Sequence, residues 1–173
     1  MHKPFLVLLA FAVWSCEDGG ISPSDQIPGQ VVFEIEYVNF AWGYAYEGKA
    51  VSEDRNLYSY NPGAEGVDVL NHPDEQYTAS DLTSKYRRRK AVVRAVSADT
   101  LIYMKQLVTA VRIDDNSDTT SVGADMGAVV YSAYRFRADV SKYQRVILQV
   151  EGDWTFHNRS EAAVVLVDLM KRL

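Results

Sequence analysis

From Gln30 the chain alternates between apolar and charged positions. Val31, Phe33, Ile35 and Tyr37 take one parity and Glu34 and Glu36 the other, the period of two that marks a strand with unlike faces. At Phe40 the apolar set moves to even positions: Phe40, Trp42, Tyr44 and Tyr46. Such a change of face predicts one extra residue, a bulge near Val38–Asn39, or else a bend at Gly43. Turn formers at Glu47-Gly48-Lys49 and Glu53-Asp54-Arg55-Asn56 divide the next stretch, and Asn56 to Tyr60 closes a β-meander that Asn61-Pro62-Gly63 ends.

Residues 61–80 are polar and rich in turn formers and read as a loop. Asp81 is placed to cap a modestly amphipathic helix through Leu82, Tyr86 and Val93. A clearer helix runs from Ala98 to about Arg112, with Ser97 as its cap, Asp99 in its first turn, and Leu101, Met104, Val108 and Val111 on one face. Asp114 to Asp125 reads as a second polar loop. Two strands come next, Ala128–Arg137 and Gln144–Glu151, the second with Val146, Leu148 and Val150 pointing one way. Asn158-Arg159-Ser160-Glu161 is a capping-box arrangement before a helix whose stripe is Ala162, Val165, Leu166, Leu169, Met170 and Leu173. The order predicts an α+β fold in one domain, residues 31–173. It comprises an N-terminal antiparallel β-meander, two central helices, two further strands and a C-terminal amphipathic helix.

The residues before Gln30 do not fit this scheme. Lys3 and the α-amino group make a short positive start, and Phe5 to Trp14 is an apolar run of ten residues. A helix needs about 20 apolar residues to cross a bilayer, so the run has the length of a signal peptide rather than of a permanent span. Glu17 to Gln30 is then rich in Gly, Pro, Ser and acids, with too little apolar surface to fold. It reads as a flexible acidic tether.

Between run and tether lies Val13-Trp14-Ser15-Cys16, holding the single cysteine of the chain. These four residues resemble the lipobox of bacterial lipoproteins, although Trp14 stands where a small or hydroxyl residue is usual. The resemblance implies cleavage after residue 15 and a diacylglycerol thioether on Cys16, with 1–15 as signal peptide and 16–30 as lipidated cysteine and tether. One acyl chain holds a protein only marginally and two or more anchor it stably. A lone thiol can form no internal disulfide, which agrees with an anchoring role. In lipoproteins an Asp directly after the cysteine favours the inner membrane. Glu17 in its place implies the outer membrane, on the periplasmic face or at the cell surface. Asn39-Phe40-Ala41-Trp42-Gly43-Tyr44, and Val146 to Leu173 with its Gly152-Asp153-Trp154, resemble stretches of cell-envelope lipoproteins of unknown function.

Charge narrows the function further. The chain carries 18 basic and 23 acidic side chains, a net charge of −5, and becomes one unit more negative when Lys3 leaves with the signal. That argues against nucleic acid as a partner. No GxSxG, HExxH, Walker loop or GxGxxG motif occurs, and His72 and His157 stand without a nucleophile motif.

Three patterns remain as candidate sites. Asp114, Asn116, Asp118 and Thr120, with Asp125 at the twelfth place, put oxygen ligands at the alternate positions of a calcium loop. Thr119 stands where the sharp turn wants Gly, and Asp125 is shorter than the usual Glu, so a solvated loop is the plainer reading. Lys85, Arg87, Arg88, Arg89 and Lys90 would spread around a helix and therefore predict an exposed segment, facing lipid phosphates or an anionic glycan, or simply water. Trp42, Tyr44, Tyr58 and Tyr60, with Phe40 and Tyr46, could stack on sugar rings or form ordinary strand core.

The expected function is a membrane-anchored envelope lipoprotein with a non-enzymatic binding or structural role toward an envelope protein or glycan. No cofactor is called for beyond calcium at the acidic loop. The alternative is a hydrolase of an envelope polymer or glycan using loop carboxylates. Two carboxylates within about 10 Å of each other in an aromatic cleft would favour that alternative.

Overall fold

The computed structural model describes residues 30–39, 41, 45–61, 76–86 and 89–173. The signal expected at residues 1–15, Cys16, nearly all of the tether, Trp42, Tyr44, Arg87 and Arg88 lie outside them. In chain order the elements are β1 (Val31–Asn39), β2 (Ala45–Ser52), β3 (Asn56–Tyr60), β4 (Gln76–Tyr77), α1 (Ala79–Lys85), β5 (Arg89–Ala95) and α2 (Ala98–Ala110). Then come β6 (Thr120–Ser121), β7 (Ala128–Arg137), β8 (Lys142–Gly152), β9 (Trp154–His157) and α3 (Glu161–Lys171). The fold is α+β, with an antiparallel sheet in the order β5-β3-β2-β1-β7-β8-β9-β6 and β4 paired to β8.

The meander is β1-β2-β3, and its details depart from the sequence pattern in two places. Pairing of β1 with β2 runs unbroken from Phe33 to Asn39, and the register shift lies at the other end, between Val31 and Phe33. The change of apolar parity at Phe40 therefore falls between two strands and needs no bulge at Val38–Asn39. Glu47-Gly48-Lys49 is strand, paired to β1 throughout and to β3 at Gly48 and Lys49, because each neighbour offers backbone partners there. Only Glu53-Asp54-Arg55 turns, with Arg55 in the left-handed region at φ 68°.

The helix expected from Asp81 to Val93 is instead α1 followed by β5. Thr78, not Asp81, is the cap. Its hydroxyl accepts from the Asp81 N–H at 3.1 Å, and Asp81 Oδ2 accepts from the Thr78 N–H at 2.7 Å, a reciprocal box. The chain then extends because β3 has an open edge, and β-branched Val92 and Val93 suit it. In β8 the pairs Tyr131–Gln149 and Ser132–Ile147 leave Leu148 as an extra residue. That bulge turns Val150 to the face opposite Val146 and Leu148, so the three do not share a side. β6 and β9, short strands absent from the sequence pattern, pair with each other.

One face of the sheet carries the main apolar core. Phe33, Val51, Leu57, Ala133, Val146 and Leu148 pack against Leu101, Met104 and Val108 of α2 and Ala163, Leu166, Val167 and Met170 of α3. Each Val, Leu, Met or Phe among them contributes about 1.5–3 kcal/mol by leaving water. Ser97 caps α2 as expected, accepting from the Thr100 N–H at 3.1 Å. At its other end Arg135 donates to Val108 O at 2.5 Å and Val111 O at 2.9 Å, a cation on the last open carbonyls. The reciprocal box expected at α3 is not made, because Ser160 Oγ is bonded to Asn158 Oδ1 instead.

The other face is covered differently. β4 is paired to β8 and β5 to β3, so the described residues 76–86 and 89–95 form a strap that joins one side of the sheet to the other and includes α1. Leu82 and Tyr86 point down from the strap into a cluster with Val31, Ala50, Tyr58, Tyr60 and Tyr134. A second small cluster, Val38, Tyr46, Ala128, Val130, Ile147 and Val150, lies further along. Beneath the strap the sheet presents charge.

Candidate functional site

The alternation of β1 places Glu34 and Glu36 side by side on the strap face, and both are 0% exposed. Pairing with β7 sets Glu34 opposite Ser132 and Glu36 opposite Val130. Pairing with β2 sets Glu36 opposite Gly48, which is itself opposite Tyr60. Isolated buried carboxylates would cost several kcal/mol each, so their partners decide whether the fold stands.

Those partners are two cations and four phenols. Lys85 Nζ, at the end of α1, lies 2.9 Å from a Glu34 oxygen and 3.1 Å from Glu36 Oε1, with its side chain 5% exposed. Arg145 of β8 donates from Nη2 to Glu36 Oε2 and from Nε to Ser132 Oγ at 3.1 Å. Tyr46 donates to Glu36 Oε1 at 2.5 Å, and Tyr60 donates to Glu34 Oε1 while standing 3.1 Å from Glu36 Oε1. Tyr86 donates to Glu34 Oε1 and Tyr134 to Glu34 Oε2, each at 2.9 Å. The Tyr86 and Tyr134 hydroxyls are 2.8 Å apart. Every carboxylate oxygen is engaged, and the formal charges of the four ionic groups cancel.

The environment fixes the protonation states. Burial pushes the Glu36 carboxyl up, but the Arg145 guanidinium, the Lys85 ammonium and the Tyr46 hydroxyl together hold it well below the ordinary carboxylate range. Burial would lower the Arg145 guanidinium, and the two glutamates more than offset it, so it stays charged. Burial and then the Glu34 charge push Tyr60, Tyr86 and Tyr134 well above the usual phenol value. Tyr46 rises by burial and by Glu36. At neutral pH Glu36 is a carboxylate and all four phenols are neutral donors, an arrangement suited to holding charge rather than to passing protons.

Of the candidates drawn from the sequence, Tyr46, Tyr60 and Lys85 enter this cluster, the two tyrosines by the strand-core alternative. Tyr58 and Tyr60 are buried among the strands, 1% exposed, so these two form core and offer no sugar-stacking surface. Lys85, grouped by its neighbours in sequence with surface cations, points inward to the carboxylates. Arg89 and Lys90 lie on β5, a strand rather than a helix. In the acidic loop, Asn116 Oδ1 accepts from Asn158 Nδ2 at 3.0 Å, and its own Nδ2 donates to Ile113 O at 2.7 Å. Thr120 belongs to β6, paired to Thr155, and Asp125 sits in the left-handed region at φ 69°. Among the described residues, no three His, Cys, Asp or Glu gather as a metal set.

Glu34, Glu36, Tyr46, Tyr86, Tyr134 and Arg145 carry the cluster without a motif. A signal for them does exist. Val129-Val130-Tyr131-Ser132-Ala133-Tyr134 and Val146-Ile147-Leu148 are apolar on both parities, which marks strands covered on both faces. A strand lying between such neighbours is covered on both faces too, and its glutamates then require buried cations. Arg145, beside an aliphatic run, is the natural candidate. Gly152-Asp153-Trp154 has a structural use as well. Asp153 accepts from the N–H groups of Met126 at 2.9 Å and Gly127 at 3.2 Å, tying the loop before β7 to the end of β8.

A separate open groove of about 420 Å³ between α2 and α3 is lined by Tyr103, Leu107, Arg112, Ser160, Glu161 and Val165, and contains none of the candidate site residues drawn from the sequence. Comparison with known proteins finds no family model, no curated protein and no solved structure that matches the chain.

Proposed function

We propose that the protein is a lipid-anchored lipoprotein of the bacterial cell envelope, held at the outer membrane through Cys16. In this reading its folded part has a binding or structural role toward an envelope protein or glycan. The observation that carries the reading is the order of the first 30 residues: ten apolar positions, Val13-Trp14-Ser15-Cys16, then an acidic Gly/Pro/Ser tether. The test is mass spectrometry of the mature N-terminus beside a Cys16→Ala control. The expected product begins at a Cys16 bearing thioether-linked diacylglycerol and usually an N-acyl chain. Recovery of an unmodified, freely soluble Cys16 form would sink the proposal.

A non-enzymatic role is supported by the state of the most concentrated chemistry in the described fold. The hydrolase alternative calls for loop carboxylates in an aromatic cleft, whereas Glu34 and Glu36, the carboxylates gathered among tyrosines, lie on β1. Neither has exposed surface, both are paired to cations, and a Glu36 held ionised cannot serve as a general acid. Incubation of the wild-type chain with purified envelope glycan, scored for new reducing ends, separates the two readings. Release of new reducing ends by the wild-type chain would establish the hydrolase.

A further inference from the structure

Lys85 meets the network from outside. Of the groups that surround its Nζ, Glu34 and Glu36 belong to β1 and Tyr134 to β7, while Lys85 is delivered by the strap. The ammonium lies 2.9 Å from Glu34, 3.1 Å from Glu36 Oε1 and 3.1 Å from the Tyr134 hydroxyl. An ammonium has three N–H donors, and three acceptors stand at ordinary N–H···O distance. The nitrogen also lies 5.5 Å from the ring centroid of Tyr86 and 5.9 Å from that of Tyr134, within the reach at which an aromatic face attracts a cation. Two carboxylates, one phenol oxygen and two aromatic faces around a single nitrogen are what recognition of an alkylammonium ion requires. Without Lys85 the chamber would hold two buried carboxylates against Arg145 alone, one negative charge in excess, so it demands a cation.

We infer that the chamber between the sheet and α1 is a receptor site for a primary ammonium group, which Lys85 fills as a ligand built into the chain. The acceptor distances suit N–H donors and are longer than those of a Ca²⁺ or Mg²⁺ ion. A quaternary ammonium has no N–H to offer and is too wide for contacts of this length. In the native chain Lys85 occupies the site and keeps an external amine out. The inference rests on the fold and stands whether or not Cys16 carries lipid.

The test uses the full chain in detergent with Lys85→Ala, which opens the chamber, and Lys85→Met, which fills it with a neutral stem of similar length. Each is melted with methylammonium, tetramethylammonium, potassium and sodium chlorides at matched ionic strength. Lys85→Ala is expected to gain a saturable rise in Tm with methylammonium alone, about 3–6 °C at tenfold the dissociation constant. Wild type and Lys85→Met gain nothing, because their chambers are filled. Equal rises with potassium or tetramethylammonium, or an equal rise in Lys85→Met, overturn the inference. So does a Lys85→Ala chain that stays unfolded at high methylammonium, since an ammonium site must be restored by its ion. In wild type with ¹⁵N-lysine, NMR should show one slowly exchanging ammonium signal that Lys85→Met removes. Its absence also overturns the inference.

Discussion

Gly48 lies directly under the ring of Tyr60, and the missing side chain is what lets that ring cross β2. A Cβ built on Gly48 would stand 2.5 Å from Tyr60 Cε1 and Cζ and 2.6 Å from its hydroxyl oxygen. No real Cβ sits so close, and the ring cannot swing away, because its hydroxyl is bonded to Glu34 and it meets Tyr86 edge-on with centroids 5.1 Å apart. Gly48→Ala should therefore destabilise the fold by about 2–4 kcal/mol, although alanine suits a strand no worse than glycine. Urea denaturation measures this, and an unchanged midpoint would show that Tyr60 does not occupy that place.

The Glu36–Arg145 pair gives a second prediction. Removing one partner of a buried ion pair leaves the other without compensation, at a cost of about 3–5 kcal/mol. Glu36→Gln and Arg145→Met should each fall in that range. The double variant should lose less than the two combined, with a coupling of about 1–3 kcal/mol, because it strands neither charge. Additive losses in the double-mutant cycle would mean that the two side chains do not act as a pair.

This cluster escapes a reading of the sequence because of where its members lie. Glu34 and Glu36 alternate with Val31, Phe33, Ile35 and Tyr37 as the wet face of an amphipathic strand would. Their partners stand far along the chain: Lys85 is 51 residues from Glu34, Tyr134 is 100, and Arg145 is 109 from Glu36. No local pattern encodes such pairings. Local physics was legible where it decides the outcome, as in the Ser97 cap and the Leu101–Met104–Val108 face of α2. Lys85 to Val93 shows the opposite case. A run of cations reads as an exposed helix, yet the open edge of β3 draws Ala91 and Val92 into the sheet, and the carboxylates draw Lys85 inward.

Acid should weaken the fold through Glu36. Burial raises its carboxyl, and Arg145, Lys85 and Tyr46 outweigh that and depress it in the folded state. The unfolded chain, with a glutamate near its ordinary value of about 4.3, then takes up the proton first. The contribution of this group is complete above roughly pH 5 and drains away as pH falls below about 4 and on through the depressed folded value. The urea midpoint of wild type should fall over that range, and its advantage over Glu36→Gln should shrink. A gap that stays constant from pH 7 to about pH 3 would contradict the depressed carboxyl.

Alkali should act through the phenols, with the opposite sign. Tyr60, Tyr86 and Tyr134 are raised in the folded chain by burial and by Glu34, so the unfolded state loses its phenolic protons first. Their stabilising contribution is whole below about pH 10 and is lost as pH rises beyond it. Tyrosinate absorbance should therefore appear in two parts. The part that belongs to Tyr60, Tyr86 and Tyr134 rises only as circular dichroism reports unfolding. Smooth ionisation of every tyrosine in a chain that stays folded would mean that the network is open to solvent.

The acidic loop offers the last prediction, in which a structural and a metal-binding role give opposite results. Asn158, 2% exposed, donates to Arg112 O at 2.6 Å and to Asn116 Oδ1 at 3.0 Å, and accepts from the Ser160 N–H at 3.1 Å. One side chain thus ties the end of α2, the loop and the start of α3 together. A calcium ion would need the Asn116 oxygen that Asn158 already holds, along with Asp114, Asp118, Thr120 and Asp125. Asn158→Ala should cost about 2–4 kcal/mol by stranding buried polar groups. Millimolar calcium should leave the wild-type melting temperature unchanged, since an ion that binds only the folded state must raise it. A clear rise with calcium that disappears in Asp118→Asn would instead show that the loop rearranges, releases Asn116 from Asn158 and closes around the ion.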